Sequence, residues 1–222
     1  CVNEGNITID CDCGTSNNAA GGIIGWPGKE SACTNVTENC VNKGNIVVSG
    51  EGKFRLGGIQ GGSGIIKGCT NEGSITVNSS NSGSNYGGLA GFHSGGYELI
   101  DSTNTGDIVC NVAISGGGVA GMAGNLGNSA HAEGKIKNNT IKCLVKSAEG
   151  TCGVGMAVGH FNGNSKTIYF GTADEPIKVG GSIQIGDTTT AVTAANVMDP
   201  AVLGGNCSNY DAAWHFYNCV LA

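Results

Sequence analysis

Arginine occurs once in these 222 residues, as Arg55, and proline only three times. Nucleic-acid phosphates are tracked by clustered Lys and Arg. With one arginine and a formal charge of -6, nucleic acid is not an expected partner. No apolar run approaches the ~18 residues of a membrane span, so no transmembrane segment is expected in this stretch. None of the 11 cysteines forms a C-x-x-C pair, which removes the basis for a zinc ribbon or a thioredoxin-like motif. No G-x-S-x-G, H-E-x-x-H, Walker or RTX calcium phrase is present. The reading therefore assigns no catalytic residue, no metal ligand and no cofactor. Aromatic residues make up 5% and charged residues 13%. There is no initiator Met and no signal peptide, and Cys1 already lies inside a repeat, so the chain reads as a fragment of a longer protein.

Glycine is what the chain has in excess, with 41 copies. Each would cost roughly 1 kcal/mol inside a helix, which argues against a helical bundle. Lacking a strict triplet period, the chain is not collagen. Hydrophobic residues make up 39%, too many for a charged disordered chain.

Two phrases alternate along the sequence. The first is Asn-x-Gly-polar-Ile-x-apolar, at residues 3–9, 42–48, 71–77 and 104–110. Degenerate copies follow at 139–143 and 181–185, so its leading Ile falls at Ile7, Ile46, Ile75, Ile108, Ile141 and Ile183. The second phrase is Gly-Gly-apolar-x-Gly, at residues 21–25, 57–61, 87–91 and 117–121, and loosely at 153–159. A third apolar run closes each period, as at Ile65-Ile66 or Leu99-Ile100. Apolar residues alternate within these segments, the period of 2 expected for strands with one buried face.

The expected fold is all-β: a single-stranded parallel β-helix (β-solenoid), with three short strands per coil, about six coils and a C-terminal cap. A propeller or sandwich was the competing all-β arrangement, but 29-residue intervals barely supply a four-stranded blade. In stacked coils about 4.8 Å apart, equivalent residues touch their own kind. The six Ile would then form an internal stack, and Asn3, Asn42, Asn71 and Asn104 an amide ladder. Gly5, Gly44, Gly73 and Gly106 are expected to take positive φ to complete the turn. Cys1, Cys40 and Cys69 would fill a small buried slot. Residues 1–185 form the repeat domain and 186–222 the cap, with a short helical turn stopped at Gly204 and apolar weight from Trp214, Phe216 and Tyr217. A Cys207–Cys219 disulfide is a candidate within that cap.

The G-G-L-A-G and G-G-V-A-G phrases, each followed by C/S-x-N-x-G-x-I, resemble the GLUG-type repeats of bacterial surface proteins and adhesins. The tail from G-G-S-I-Q-I through T-A-A-N-V-M is similar to repeat proteins of Bacteroides-type gut bacteria. The resemblance spans roughly residues 1–205. It implies an adhesin-like β-helix that is exported, either to the cell surface as an outer-membrane lipoprotein or into the medium. No family catalytic residue carries over.

Function is therefore expected where the copies differ. Trp26, Tyr86, Phe92 and Tyr97 lie close to G-G-x-x-G corners and are the candidate ligand-binding aromatics. His93 joins them, because residues 91–93 and 159–161 follow equivalent glycine phrases and would project His93 and His160 from one corner. Asp10 with Asp12, and Asp101 with Asp107, read as turn formers. The expected function is non-enzymatic recognition of a glycan or host surface protein. A β-helix polysaccharide lyase or glycoside hydrolase is the first alternative, and a structural stalk the second.

Overall fold

A computed structural model describes residues 1–10, 12–27, 35–79, 82–93, 96–127, 130–149, 152–161, 167–204 and 215–222, the last segment with backbone alone at 215 and 216. The strands stack in parallel as a β-solenoid of about five turns. A full coil has five strand segments, finer than the three expected. The third, for example, holds Thr70–Asn71, Ile75–Val77, Asn85–Gly87, Ala90–His93 and Leu99–Ile100. The first two belong to one wide sheet, A, split into two strips by the Asn-x-Gly turn. The third lies in sheet B, the fourth in sheet C and the fifth in sheet D. The Gly-Gly phrase makes the corner between sheets B and C.

The asparagine ladder forms as expected. Asn3 Nδ2 donates to Asn42 Oδ1 at 2.7 Å, Asn42 to Asn71 at 2.8 Å, and Asn71 to Asn104 at 2.7 Å. Each Nδ2 also donates to the carbonyl two residues ahead, at 2.9 to 3.0 Å. Asn42, Asn71 and Asn104 are fully buried, where a polar group without partners would cost a few kcal/mol. Beside the ladder, Ile46, Ile75 and Ile108 stack in register and fully buried, each worth roughly 1.5–3 kcal/mol.

The turn glycines correct the expectation about φ. None of Gly5, Gly44, Gly73 and Gly106 is in the positive-φ region. They are glycine because the coils touch there: a Cβ on Gly44, Gly73 or Gly106 would lie 2.0 Å from the carbonyl oxygen of the glycine one coil back. The corner glycines are constrained by the ladder itself. A Cβ on Gly22, Gly58 or Gly88 would lie 2.2–2.3 Å from the carboxamide of Asn42, Asn71 or Asn104 in the next coil. The two repeated phrases are thus one device, a corner glycine seated on an asparagine.

The ladder stops at the fifth level, and two sequence registers change there. Asn104 is paired in register with Ile141, and Ile108 with Val145. The leading position of that coil is therefore Val145, and Ile141 fills the ladder slot. Cys143 replaces the turn glycine, and Asn104 Nδ2 donates to its sulfur at 3.3 Å. Without the Asn-Gly turn, the two strips fuse into the single strand Thr140–Ser147, and again into Ile177–Ile185. Similarly, Gly87 registers on Ala120. The corner of the fourth coil is thus residues 120–124, A-G-M-A-G, and not 117–121.

Buried thiols occupy core positions. Burial pushes Cys143 and Cys219 up to about 12, so both stay neutral and behave as small apolar residues. At the C-terminal end, Thr188–Ala191 folds back antiparallel on Ile177–Ile185, and Cys219–Leu221 adds in parallel beside it. The expected turn is the helix Pro200–Leu203, capped by the Asp199 carboxylate and stopped at Gly204. Tyr217 stacks on Phe170 with ring centroids 4.7 Å apart. Cys219 is a free buried thiol, so the candidate Cys207–Cys219 disulfide is not formed; Trp214 and Cys207 lie outside the described residues.

Replacing Asn71 by Ala removes hydrogen bonds to three partners and is expected to cost about 2–4 kcal/mol, read as a lower urea midpoint. Gly58→Ala, which drives a methyl into Asn71, is expected to destabilise at least as much. Glu72→Ala, an exposed side chain next to the ladder, serves as the neutral control.

Candidate functional site: a polar hollow between sheets B and C

The strand Lys53–Gly57 alternates strictly. Phe54 and Leu56 point into the core, so Lys53 and Arg55 point out of sheet B. Asn85 registers on Arg55 and Tyr86 on Leu56. Across the corner, Phe92, Asn125 and His160 share one register position on sheet C. The two outward rows converge on a hollow of about 130 Å³, lined by Asn17, Lys53, Arg55, Asn85, Phe92, Asn125 and His160. Gly83 and Gly117 also line it.

Its side chains are held in place. The Arg55 guanidinium lies 3.7 Å from the centre of the Phe92 ring and 5.1 Å from that of Trp26, contacts worth ~0.5–2 kcal/mol each. Asn125 Nδ2 donates to Asn85 Oδ1 at 3.2 Å, while the buried Asn125 Oδ1 has no hydrogen-bond partner among the described residues. Among the described residues Lys53 has none of the ion pairs seen at other lysines. Lys67 and Lys135 both bind Glu98, at 2.6 and 3.1 Å, and Lys137 binds Glu175. Burial, reinforced by the Lys53 charge, lowers His160 below the ordinary histidine range. A larger and shallower hollow of about 370 Å³ adjoins, shares Lys53 and Gly83, and is otherwise lined by Gly14, Thr15, Glu51, Gly52 and Ser82.

The structure separates the five residues nominated from sequence. Phe92 lines this hollow, buried beneath the Arg55 guanidinium, and Trp26 lies outside its lining but packs on the same guanidinium. Tyr86 is fully buried in the core, so it presents no surface to a ligand. His93 is likewise fully buried. It registers on Leu126 and Phe161, one position after the outward row of Phe92, Asn125 and His160. A one-residue offset in a strand reverses the face, so His93 and His160 point to opposite sides of the sheet. Tyr97 is half-buried at the next corner, its carbonyl oxygen 3.1 Å from His93 Nε2. Lys53, Arg55, Asn17, Asn85 and Asn125 were missed, although the K-F-R-L alternation marks the first two as outward. Of the carboxylates, Asp101 sits in a positive-φ turn and accepts from Asn138, and Asp107 accepts from the Leu144 N–H.

Inside the solenoid, the His93 ring stacks on His131 at 5.5 Å and 22°. Neither His131 nitrogen, nor His93 Nδ1, has a hydrogen-bond partner among the described residues. Burial lowers His93 to about 4 and His131 to about 3, so both rings are neutral at pH 7. Among the described residues no group of three or more His, Cys, Asp or Glu is placed to hold a metal ion.

Comparison with protein-family models gives no match, nor do comparisons with curated proteins and with solved structures.

The histidine pair makes stability pH-dependent. Both folded values lie below the unfolded value near 6.5, so the unfolded chain binds more protons between about pH 6.5 and pH 3–4. Stability is expected to fall with pH through that window, by up to about 1.4 kcal/mol per pH unit for each ring. Urea midpoints from pH 7 to 4.5 should fall less steeply for His93→Leu/His131→Leu. An unchanged slope would remove the pair as the cause.

Proposed function

We propose that this chain is a non-enzymatic recognition module. A rigid β-solenoid carries a glycan-binding site in the hollow between sheets B and C, in a protein exported to the cell surface or secreted. The observation that supports this reading most is the make-up of the hollow. Carboxamides from Asn17, Asn85 and Asn125, with a buried acceptor left open on Asn125, line the hollow together with Arg55, and the exposed Trp26 ring packs on that same Arg55. Sugars present hydroxyl donors and acceptors around an apolar ring face, and such a set answers both needs. Trp26 keeps 38% of its surface exposed, enough to meet a sugar while packing on Arg55. The resemblance to GLUG-type repeats of adhesins is consistent with the same reading.

The test is a panel of polysaccharides, scored for retention of the protein and for release of new reducing ends. Trp26→Ala and Asn125→Ala are expected to weaken retention by about tenfold, the loss of roughly 1–2 kcal/mol. Tyr97→Ala, at a different corner, should leave it unchanged. New reducing ends would support a polysaccharide-processing enzyme instead, and no retention at high protein concentration would count against recognition altogether.

A further inference from the structure

Lysines on sheet D are tied into ion pairs along the stack, with Glu98 held between Lys67 and Lys135. Lys53 is the exception that matters at the hollow. Its backbone is pinned, with the carbonyl accepting from Asn18 Nδ2 at 3.2 Å. Its stem lies close over Gly83, where a Cβ would come within 3.1 Å of Lys53 Cε. Lys53 lines both of the adjoining hollows. No carboxylate forms an ion pair with it among the described residues. Glu51, in the shallower hollow, is not within ion-pairing distance. The smaller hollow holds no carboxylate in its lining, but it does hold the His160 imidazole and the Asn125 carboxamide.

We infer that the hollow takes the carboxylate edge of an acidic sugar, a uronic acid unit, with the Lys53 ammonium as its counter-ion. This rests on the glycan reading above and narrows it. Lys53 donates to the carboxylate, His160 donates an N–H from its neutral ring, and Asn125 Oδ1 accepts from a neighbouring hydroxyl. Charge-assisted hydrogen bonds of this kind are shorter and stronger than neutral ones. Arg55 supplies positive potential from its place between the two rings, and the assignment does not depend on it reaching the ligand. At about 130 Å³ the hollow admits one acidic edge, with the rest of the sugar chain lying across Trp26. In a protein of net charge -6, an acidic polymer would be repelled elsewhere, so the local positive charge also selects where it lands.

Calorimetric titration of the whole chain with a short oligogalacturonide, and with the same oligosaccharide reduced at its carboxyl groups to the neutral sugar, tests this directly. The acidic form is expected to bind about tenfold tighter, the worth of one charge-assisted hydrogen bond, and to lose that margin as salt is raised. Lys53→Gln should abolish the margin between the acidic and the neutral oligosaccharide, and Lys53→Arg should keep most of it. Circular dichroism of Lys53→Gln should match the parent, as expected for an outward side chain. Equal binding of both forms would overturn the acidic assignment and leave glycan recognition standing. Binding of neither would remove both readings. An undiminished margin in Lys53→Gln would place the acid elsewhere, and tighter binding of a sulfated oligosaccharide of equal length would overturn the carboxylate choice.

Discussion

A buried carboxamide that must donate twice governs this molecule. Asn3, Asn42 and Asn71 each donate to their own turn and to the next asparagine along the axis, and they can do both only if neighbouring coils stack in strict register. The requirement is local, so the loops between ladder positions are free to vary. The spacing between successive ladder asparagines is 39, 29 and 33 residues, with no change in register. Loop length costs little once the ends are fixed, since closure entropy grows only slowly with length.

The same side chain shapes the outer surface. Because the asparagine carboxamide fills the space beneath the corner, Gly22, Gly58 and Gly88 can carry no Cβ. The chain turns sharply there from sheet B to sheet C. A sharp corner brings the outward rows of the two sheets together, and the hollow with Lys53, Asn85, Asn125 and His160 lies between them. Its residues sit on strands rather than on loops, which fixes their geometry and favours a preformed site. Structure and proposed function thus share an origin: the polar device that sets the register also creates the concavity.

The repeat was legible because it has a chemical reason at every letter. Asn42, Asn71 and Asn104, with Ile46, Ile75 and Ile108, were placed correctly from spacing alone, and so was the parallel stack. Errors began where the letters changed. With Ile141 in the asparagine slot and Cys143 in the glycine slot, nothing in the sequence marks a turn. Matching Ile to Ile then chose the wrong residue, and Val145 is the true equivalent. Gly117 and Gly118 imitate the corner phrase three residues too early. At the site, proximity to a glycine corner could not say which side a residue faces. Tyr86 and His93 went to the core, and Phe92 went outward. Only the alternation around Phe54 and Leu56 carried that information, and it pointed to Lys53 and Arg55.

The most direct measurement is an amide-resolved NMR titration of the whole chain with an oligogalacturonide. A strand-borne site predicts shifts clustered at residues 53–55, 85, 92, 125 and 160, on two sheets and four successive coils, with sheet A unmoved. Shifts confined to the loops or to the C-terminal cap, with residues 53, 125 and 160 silent, would contradict it.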